Sequence, residues 1–158
     1  MKRKICAALV GGTFLLMAGP SGAASAGPNS TEVKAFHFRA FQTEMMVAAL
    51  KCRTAAEGDV YALYNNFVMQ HRGLMAENAR ILQAYFKRTY GPRDTGRMDG
   101  LVTRLANEAS QRAHDDANYC MTSSARLREA LALDAKGLVN FVADRSALNA
   151  VTALAEAR

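Results

Sequence analysis

Asp94-Thr95-Gly96 is the one triplet in this chain that matches a catalytic signature, that of the aspartic proteases. Such chemistry needs two carboxylates sharing a proton, each presented from a β-hairpin loop. The triplet occurs once, between Arg93 and Arg97, and helix capping by Asp94 or Thr95 is the stronger reading. His37, His71 and His114 are the only histidines, and no two stand three or four residues apart. A zinc site of the H-E-x-x-H kind is therefore not encoded. His114 is followed by Asp115 and Asp116, but neighbouring side chains on a helix diverge, so a solvated polar face is expected there. No C-x-x-C-H occurs, which excludes covalent c-type haem. Met45, Met46, Met69, Met75, Met98 and Met121 carry thioethers of the kind that bind Cu(I). They are scattered along the chain and not grouped with histidine, and several fall on apolar stripes, so core packing accounts for them. Nothing resembles a nucleophile elbow, a P-loop or a dinucleotide fingerprint. No catalytic residue, metal or cofactor is expected.

The residues best placed to bind something are basic. Lys87, Arg88, Arg93 and Arg97 crowd the turn around Gly91-Pro92, with Tyr85 and Tyr90 beside them and only Asp94 and Asp99 opposing them locally. A basic, aromatic-flanked turn suits an anionic polymer, a lipid phosphate or an acidic protein face. The competing explanation is that cations near a helix C-terminus are favoured by the macrodipole alone. Lys87, Arg88, Tyr90, Arg93 and Arg97 are the candidate anion- or partner-binding residues. Asn29-Ser30-Thr31 is an N-glycosylation sequon, relevant only in a host with that machinery.

The leader decides which redox chemistry the cysteines meet. Lys2-Arg3-Lys4 is a basic n-region, Ile5 to Ala18 is apolar, and Ala24-Ser25-Ala26 offers an A-x-A cleavage site. Residues 1–26 thus read as a cleaved signal peptide, and 27–158 as a single helical domain that is periplasmic or secreted. The apolar run is too short for a membrane span, and no second long one follows. Cys6 lies inside the leader. Loss of three leader cations lowers the net charge from +6 to +3, too mild a basicity to argue for nucleic acid. Cys52 and Cys120 remain, and in an oxidising compartment an isolated pair forms one structural bridge. A redox-active pair needs close spacing such as C-x-x-C, which is not present. Closing a loop of roughly 70 residues is worth about 4 kcal/mol by chain entropy.

Helical periodicity must position these residues. Phe38, Phe41, Met45, Ala48, Ala49 and Cys52 recur at i, i+3, i+4 spacing, which predicts a first helix from about Glu32 to Thr54. Glu57-Gly58 breaks it, and Asp59 is the expected N-cap of the next element. That element carries Val60, Leu63, Tyr64, Phe67 and Val68, then Leu74, Ile81, Leu82, Tyr85 and Phe86, with Gly73 as the expected kink. Gly91-Pro92 is the clearest stop, since Gly suits a left-handed C′ position and Pro cannot continue a helix. Met98, Leu101, Val102, Leu105, Ala109, Ala113, Ala117 and Cys120 predict one long helix ending at the second cysteine. Ala106, Ala109, Ala113 and Ala117 are small enough to let the first helix approach closely. Thr122-Ser123-Ser124 offers capping hydroxyls for a helix through Leu133. Asp134 and Ser146 are expected to cap two last short helices, with Leu138, Phe141, Val142, Leu148, Val151 and Leu154 facing inward. No segment alternates with period two. The expected fold is all-α, a compact bundle of four to six helices cross-braced by one disulfide.

Several stretches carry a resemblance. Met46-Val47-Ala48-Ala49-Leu50-Lys51-Cys52, Tyr64-Asn65-Asn66-Phe67-Val68, Tyr85-Phe86-Lys87-Arg88-Thr89-Tyr90-Gly91, Leu105-Ala106-Asn107 and Tyr119-Cys120 are similar to those of a group of short secreted α-helical proteins of alphaproteobacteria. The resemblance implies a periplasmic, disulfide-bonded protein and carries over no catalytic residue.

Three functions are compatible with these residues. The first is a non-enzymatic, envelope-associated binding or assembly factor whose partner is an acidic protein surface or an anionic envelope component. The second is a periplasmic holdase chaperone, to which methionine-rich, adaptable apolar contacts would be suited. The third is an enzyme whose carboxylates, such as Glu44, Glu77 or Glu108, meet in a cleft.

Overall fold

A computed structural model of the chain describes residues 27–54, 56 and 58–146. Residues 1–26, read from the sequence as a signal peptide, lie outside the described residues together with Cys6, as do Leu148, Val151 and Leu154. The side chains of Arg93, Asp94, Thr95, Arg145 and Ser146 lie outside them too. Six helices follow in order: α1 (Ser30–Lys51), α2 (Val60–Gln70), α3 (Arg72–Tyr90), α4 (Asp94–Asp115), α5 (Tyr119–Leu131) and α6 (Ala135–Ser146). A 3-10 turn, Gly91–Arg93, joins α3 to α4. The described residues contain no strand, and the all-α class read from the sequence is the one observed.

α1 is the hub, because each of the other five helices packs against it. Its apolar residues explain why. Phe38, Phe41, Met45, Ala48, Ala49 and Cys52 are all buried, as the stripe predicts. Around them close Val60 and Phe67 of α2, Ala113 of α4, Tyr119, Leu127 and Ala130 of α5, and Leu138 and Val142 of α6. A second cluster unites Ala35 and Phe36 of α1 with Leu82, Tyr85 and Phe86 of α3 and Leu101 and Leu105 of α4. Phe36 meets Tyr85 edge-on at 5.1 Å and Phe86 at 5.9 Å, an arrangement favoured by the ring quadrupoles. The small Ala109 and Ala113 are fully enclosed, and α4 is the most extensive neighbour of α1, so the close approach expected from those alanines is present.

The start of α1 is fixed by Asn29, whose side-chain oxygen accepts from the Glu32 N–H at 3.0 Å while the Glu32 carboxylate accepts from the Asn29 N–H at 2.8 Å. This reciprocal capping box satisfies two helix-end donors at once. It starts the helix earlier than Glu32 and turns part of the sequon into a cap. Cys52 and Cys120 are bonded, with Cα atoms 5.6 Å apart, well inside the bridging range.

Several boundaries differ from expectation. Asp59 stands before α2 but adopts a left-handed conformation (φ 55°) and makes no side-chain cap. The split between α2 and α3 falls at His71, not Gly73, where the amide chain continues from His71 N–H to Phe67 O and from Met75 N–H to His71 O, each at 3.0 Å. The long helix ends at Asp115, so Cys120 sits in the first turn of α5 and not at the end of an α4 stripe. The cause is local: the Asn118 N–H bonds the Asp116 side chain at 2.8 Å and the Tyr119 N–H bonds the Asp116 carbonyl at 3.1 Å, a turn that interrupts the helical ladder. Ala117 is accordingly exposed. Thr122, Ser123 and Ser124 lie inside α5 and do not cap it; Ser124 instead donates to the Gly58 carbonyl at 2.7 Å. Asp134 does cap α6, accepting from the Gly137 N–H at 2.7 Å.

Candidate functional site

The basic turn is built by the end of α3, the 3-10 turn and the start of α4. α3 stops at Gly91, whose φ of 58° is the left-handed conformation that glycine adopts without a Cβ penalty. The backbone of Asp94-Thr95-Gly96 forms the first turn of α4, so it is not the hairpin loop a protease triplet requires.

Four of the five candidate residues divide into separate roles, and the side chain of the fifth, Arg93, lies outside the described residues. Arg88 reaches across to α1: its Nη1 lies 2.6 Å from Glu32 Oε1 and its Nη2 3.0 Å from Oε2. The Glu32 side chain is only 6% exposed, against 51% for Arg88. This forked pair clamps the end of α3 onto the first turn of α1. The Arg88 guanidinium, helped by the Asn29 N–H, holds the Glu32 carboxyl below the usual carboxylate range against the opposing effect of burial. Arg88 also lies 5.5 Å from the Tyr85 ring. Arg97 covers the face of Tyr90 at 4.7 Å, and Tyr90 stacks on Phe86 at 5.9 Å. Both arginines therefore have structural work, and the acid that opposes Arg88 comes from a helix 56 positions away, where no local count of charges would find it.

Lys87 is different. It is exposed and borders an open groove of about 520 Å³ between α3 and α4. Ala84 and Met98 supply apolar surface there above the buried Phe86, with Arg80, Lys87 and Gln83 on the α3 side and Asp99 on the α4 side. Arg80 pairs with Glu77 at 2.7 Å, but both side chains are more than half exposed, so that pair is weak and exchangeable. The site that emerges is a groove with cationic and apolar walls, which shares Lys87 with the basic turn and otherwise runs along α3 and the start of α4.

The carboxylates considered for catalysis have other uses. Glu44 accepts from Arg126 Nη1 at 3.0 Å and lies 3.6 Å from Arg112 Nε, tying α1 to α5 and α4. The Tyr119 hydroxyl donates to the Glu44 backbone carbonyl at 3.2 Å, and burial, followed by the nearby Glu44 charge, pushes its pKa up to about 12. Glu77 belongs to the exposed pair with Arg80 and borders a small apolar cavity of about 120 Å³ among α1, α3 and α6. Glu108 is partly buried on α4 and lines neither cavity.

The histidines sit apart. His114 is exposed on α4, whereas His37 and His71 are each 5% exposed. Burial lowers the pKa of both. His71 faces the Phe67 ring at 5.1 Å and interacts with the Ala130 carbonyl, leaving Nε2 unpartnered. The Ala143 carbonyl approaches His37, yet neither ring nitrogen completes a hydrogen bond. Among the described residues no three His, Cys, Asp or Glu side chains converge as metal ligands would. No helix among them is long and apolar enough to cross a membrane. The methionines do not gather: Met45 is fully buried, while Met69 and Met121 are 73% and 58% exposed.

No protein family, curated protein or solved structure matches the chain.

Proposed function

We propose that this is an exported, non-catalytic protein that works by binding, an envelope-associated interaction or assembly factor. The groove between α3 and α4 receives an acidic protein segment or an anionic envelope component. The observation that supports this reading is the combination at one surface of exposed Lys87 and Arg80 with the apolar lining of Ala84 and Met98. Cations set at the edge of an apolar floor suit a chain that alternates acid and hydrocarbon. A disulfide is consistent with an oxidising compartment outside the cytoplasm.

The test uses the paired substitution Arg80→Glu and Lys87→Glu, with helical content checked by circular dichroism. Association with the isolated envelope fraction should fall sharply. Association equal to wild type would remove the groove from the explanation. Arg88→Glu is not informative here, because it breaks the clamp to Glu32 and so perturbs the fold.

A holdase is the second reading, favoured by four large apolar side chains left in solvent: Leu50, Tyr61, Met69 and Met121, the least exposed of them at 49%. Suppression of client aggregation at neutral and acid pH would support it, and no suppression at excess protein would end it.

A further inference from the structure

Arg39 is an arginine whose charge the fold does not answer. It lies on α1, partly buried, with its Nε enclosed and without a hydrogen-bond partner. Four other guanidiniums are given carboxylates: Arg88 has Glu32, Arg112 and Arg126 share Glu44, and Arg80 has Glu77. No carboxylate among the described residues pairs with Arg39. Its charged neighbourhood is instead the neutral phenol of Tyr64 on α2. Burial lowers the proton affinity of Arg39 and raises that of Tyr64. An enclosed cation without a counter-charge costs stability, and a chain retains such a group where something else supplies the negative charge.

Gln42, one helical turn from Arg39, adds a second signal. Its Nε2 is used on Met75 Sδ at 3.6 Å, a weak acceptor, and beside the Tyr64 hydroxyl. Its Oε1 is buried with no partner. The amide is thus loosely held and free to exchange a thioether for a stronger acceptor.

We propose that Arg39, with the Tyr64 hydroxyl and the Gln42 amide beside it, forms a binding site for a small oxyanion, a carboxylate or phosphate group entering from solvent. The guanidinium supplies the charge and a planar fork of donors, the phenol supplies an O–H donor, and the amide supplies an N–H. This site is distinct from the α3–α4 groove, none of whose lining residues it shares.

The experiment is a thermal-shift and calorimetric titration of the full exported chain. The probes are inorganic phosphate and acetate, with chloride holding ionic strength constant. Wild type should show a saturable rise in melting temperature with at least one probe and none with chloride. A response to phosphate alone assigns a phosphate group, one to acetate alone a carboxylate, and one to both a general oxyanion pocket. Arg39→Met should abolish the response while melting at or above the wild-type temperature in chloride, because the unanswered charge is gone. Tyr64→Phe should weaken binding roughly tenfold, the loss of one charge-supporting donor. Arg104→Met serves as control, since Arg104 on α4 also leaves its Nε unpartnered. Absence of a specific response in wild type would overturn the proposal. So would an equal loss in Arg104→Met, or an undiminished response in Arg39→Met; should that variant not fold, an undiminished response in Tyr64→Phe decides the matter the same way.

Discussion

Removing the bridge with the pair Cys52→Ala and Cys120→Ala tests how the bundle is held together. The bond spans 68 positions, and the loop-closure relation for that length gives about 4.4 kcal/mol at 25 °C. In a domain of this size each kcal/mol moves Tm by about 3–5 °C, so Tm should fall by about 10–20 °C. Alanine is the right replacement because Cys52 is completely enclosed, and a serine there would bury a hydroxyl. Helical content below the transition should be unchanged, since Ala48, Ala49, Val60 and Tyr119 keep their places in the same cluster. The measurement is thermal and urea unfolding followed by circular dichroism, with reduced wild type alongside to separate loss of the bond from loss of the sulfur atoms. A decrease below about 1 kcal/mol in both samples would refute the loop-closure reasoning. It would mean that the ends of α1 and α5 stay together in the unfolded chain without the bond.

Four further outcomes follow from the geometry. Arg88→Ala should lower the urea midpoint clearly, whereas Lys87→Ala, exposed one residue earlier, should stay within about 0.5 kcal/mol of wild type. The Glu32 pKa is depressed in the folded chain, so its contribution is present above the ordinary value of 4.5 and is lost as the pH falls through the lower folded value; Arg88→Ala should flatten urea midpoints measured across that acid range. His37 and His71 are held neutral, so the unfolded chain binds more protons below the ordinary value of 6.5; stability should decline from pH 7.5 to 5, and His37→Phe with His71→Phe should reduce that slope. Gly58→Ala should destabilise by more than about 1 kcal/mol by thermal melt, because φ is +90° and the new Cβ would stand 2.7 Å from the Ser124 Cβ.

Local patterns proved readable and cross-chain pairings did not. The α1 stripe, the Gly91-Pro92 stop and the Asp134 cap were each legible because the cause lies within a few residues of the effect. The bridge was legible because Cys52 and Cys120 are the only two cysteines beyond residue 26. The α4–α5 break was hidden by an apolar period that runs on through Ala113 and Ala117 to Cys120, although Asp115, Asp116 and Asn118 marked it in polar residues. The His71 split has no glycine or proline to announce it. At the candidate site, the sequence supplied the cations but not their partners. Whether Arg88 is available depends on Glu32, and whether Arg39 is answered depends on what α2 brings opposite it, and neither contact is local.

The position of α1 in the fold has a consequence for the order of events as the chain is made. The helix that touches all five others is also the earliest of the six to leave the ribosome. It then waits: its bridging partner arrives 68 positions later, and Leu138 and Val142 later still. Before those segments emerge, α2 and α3 already supply part of its cover, Phe67 against Phe38 and Phe41 and Tyr85 with Phe86 against Phe36, while contacts of the longest sequence separation form slowly. A bundle wired around its last helix would have to wait for the end of synthesis before any helix met the hub. One wired around its first can begin to close on α2 and α3 as they emerge, leaving the bridge and the last helix to lock a bundle already half assembled.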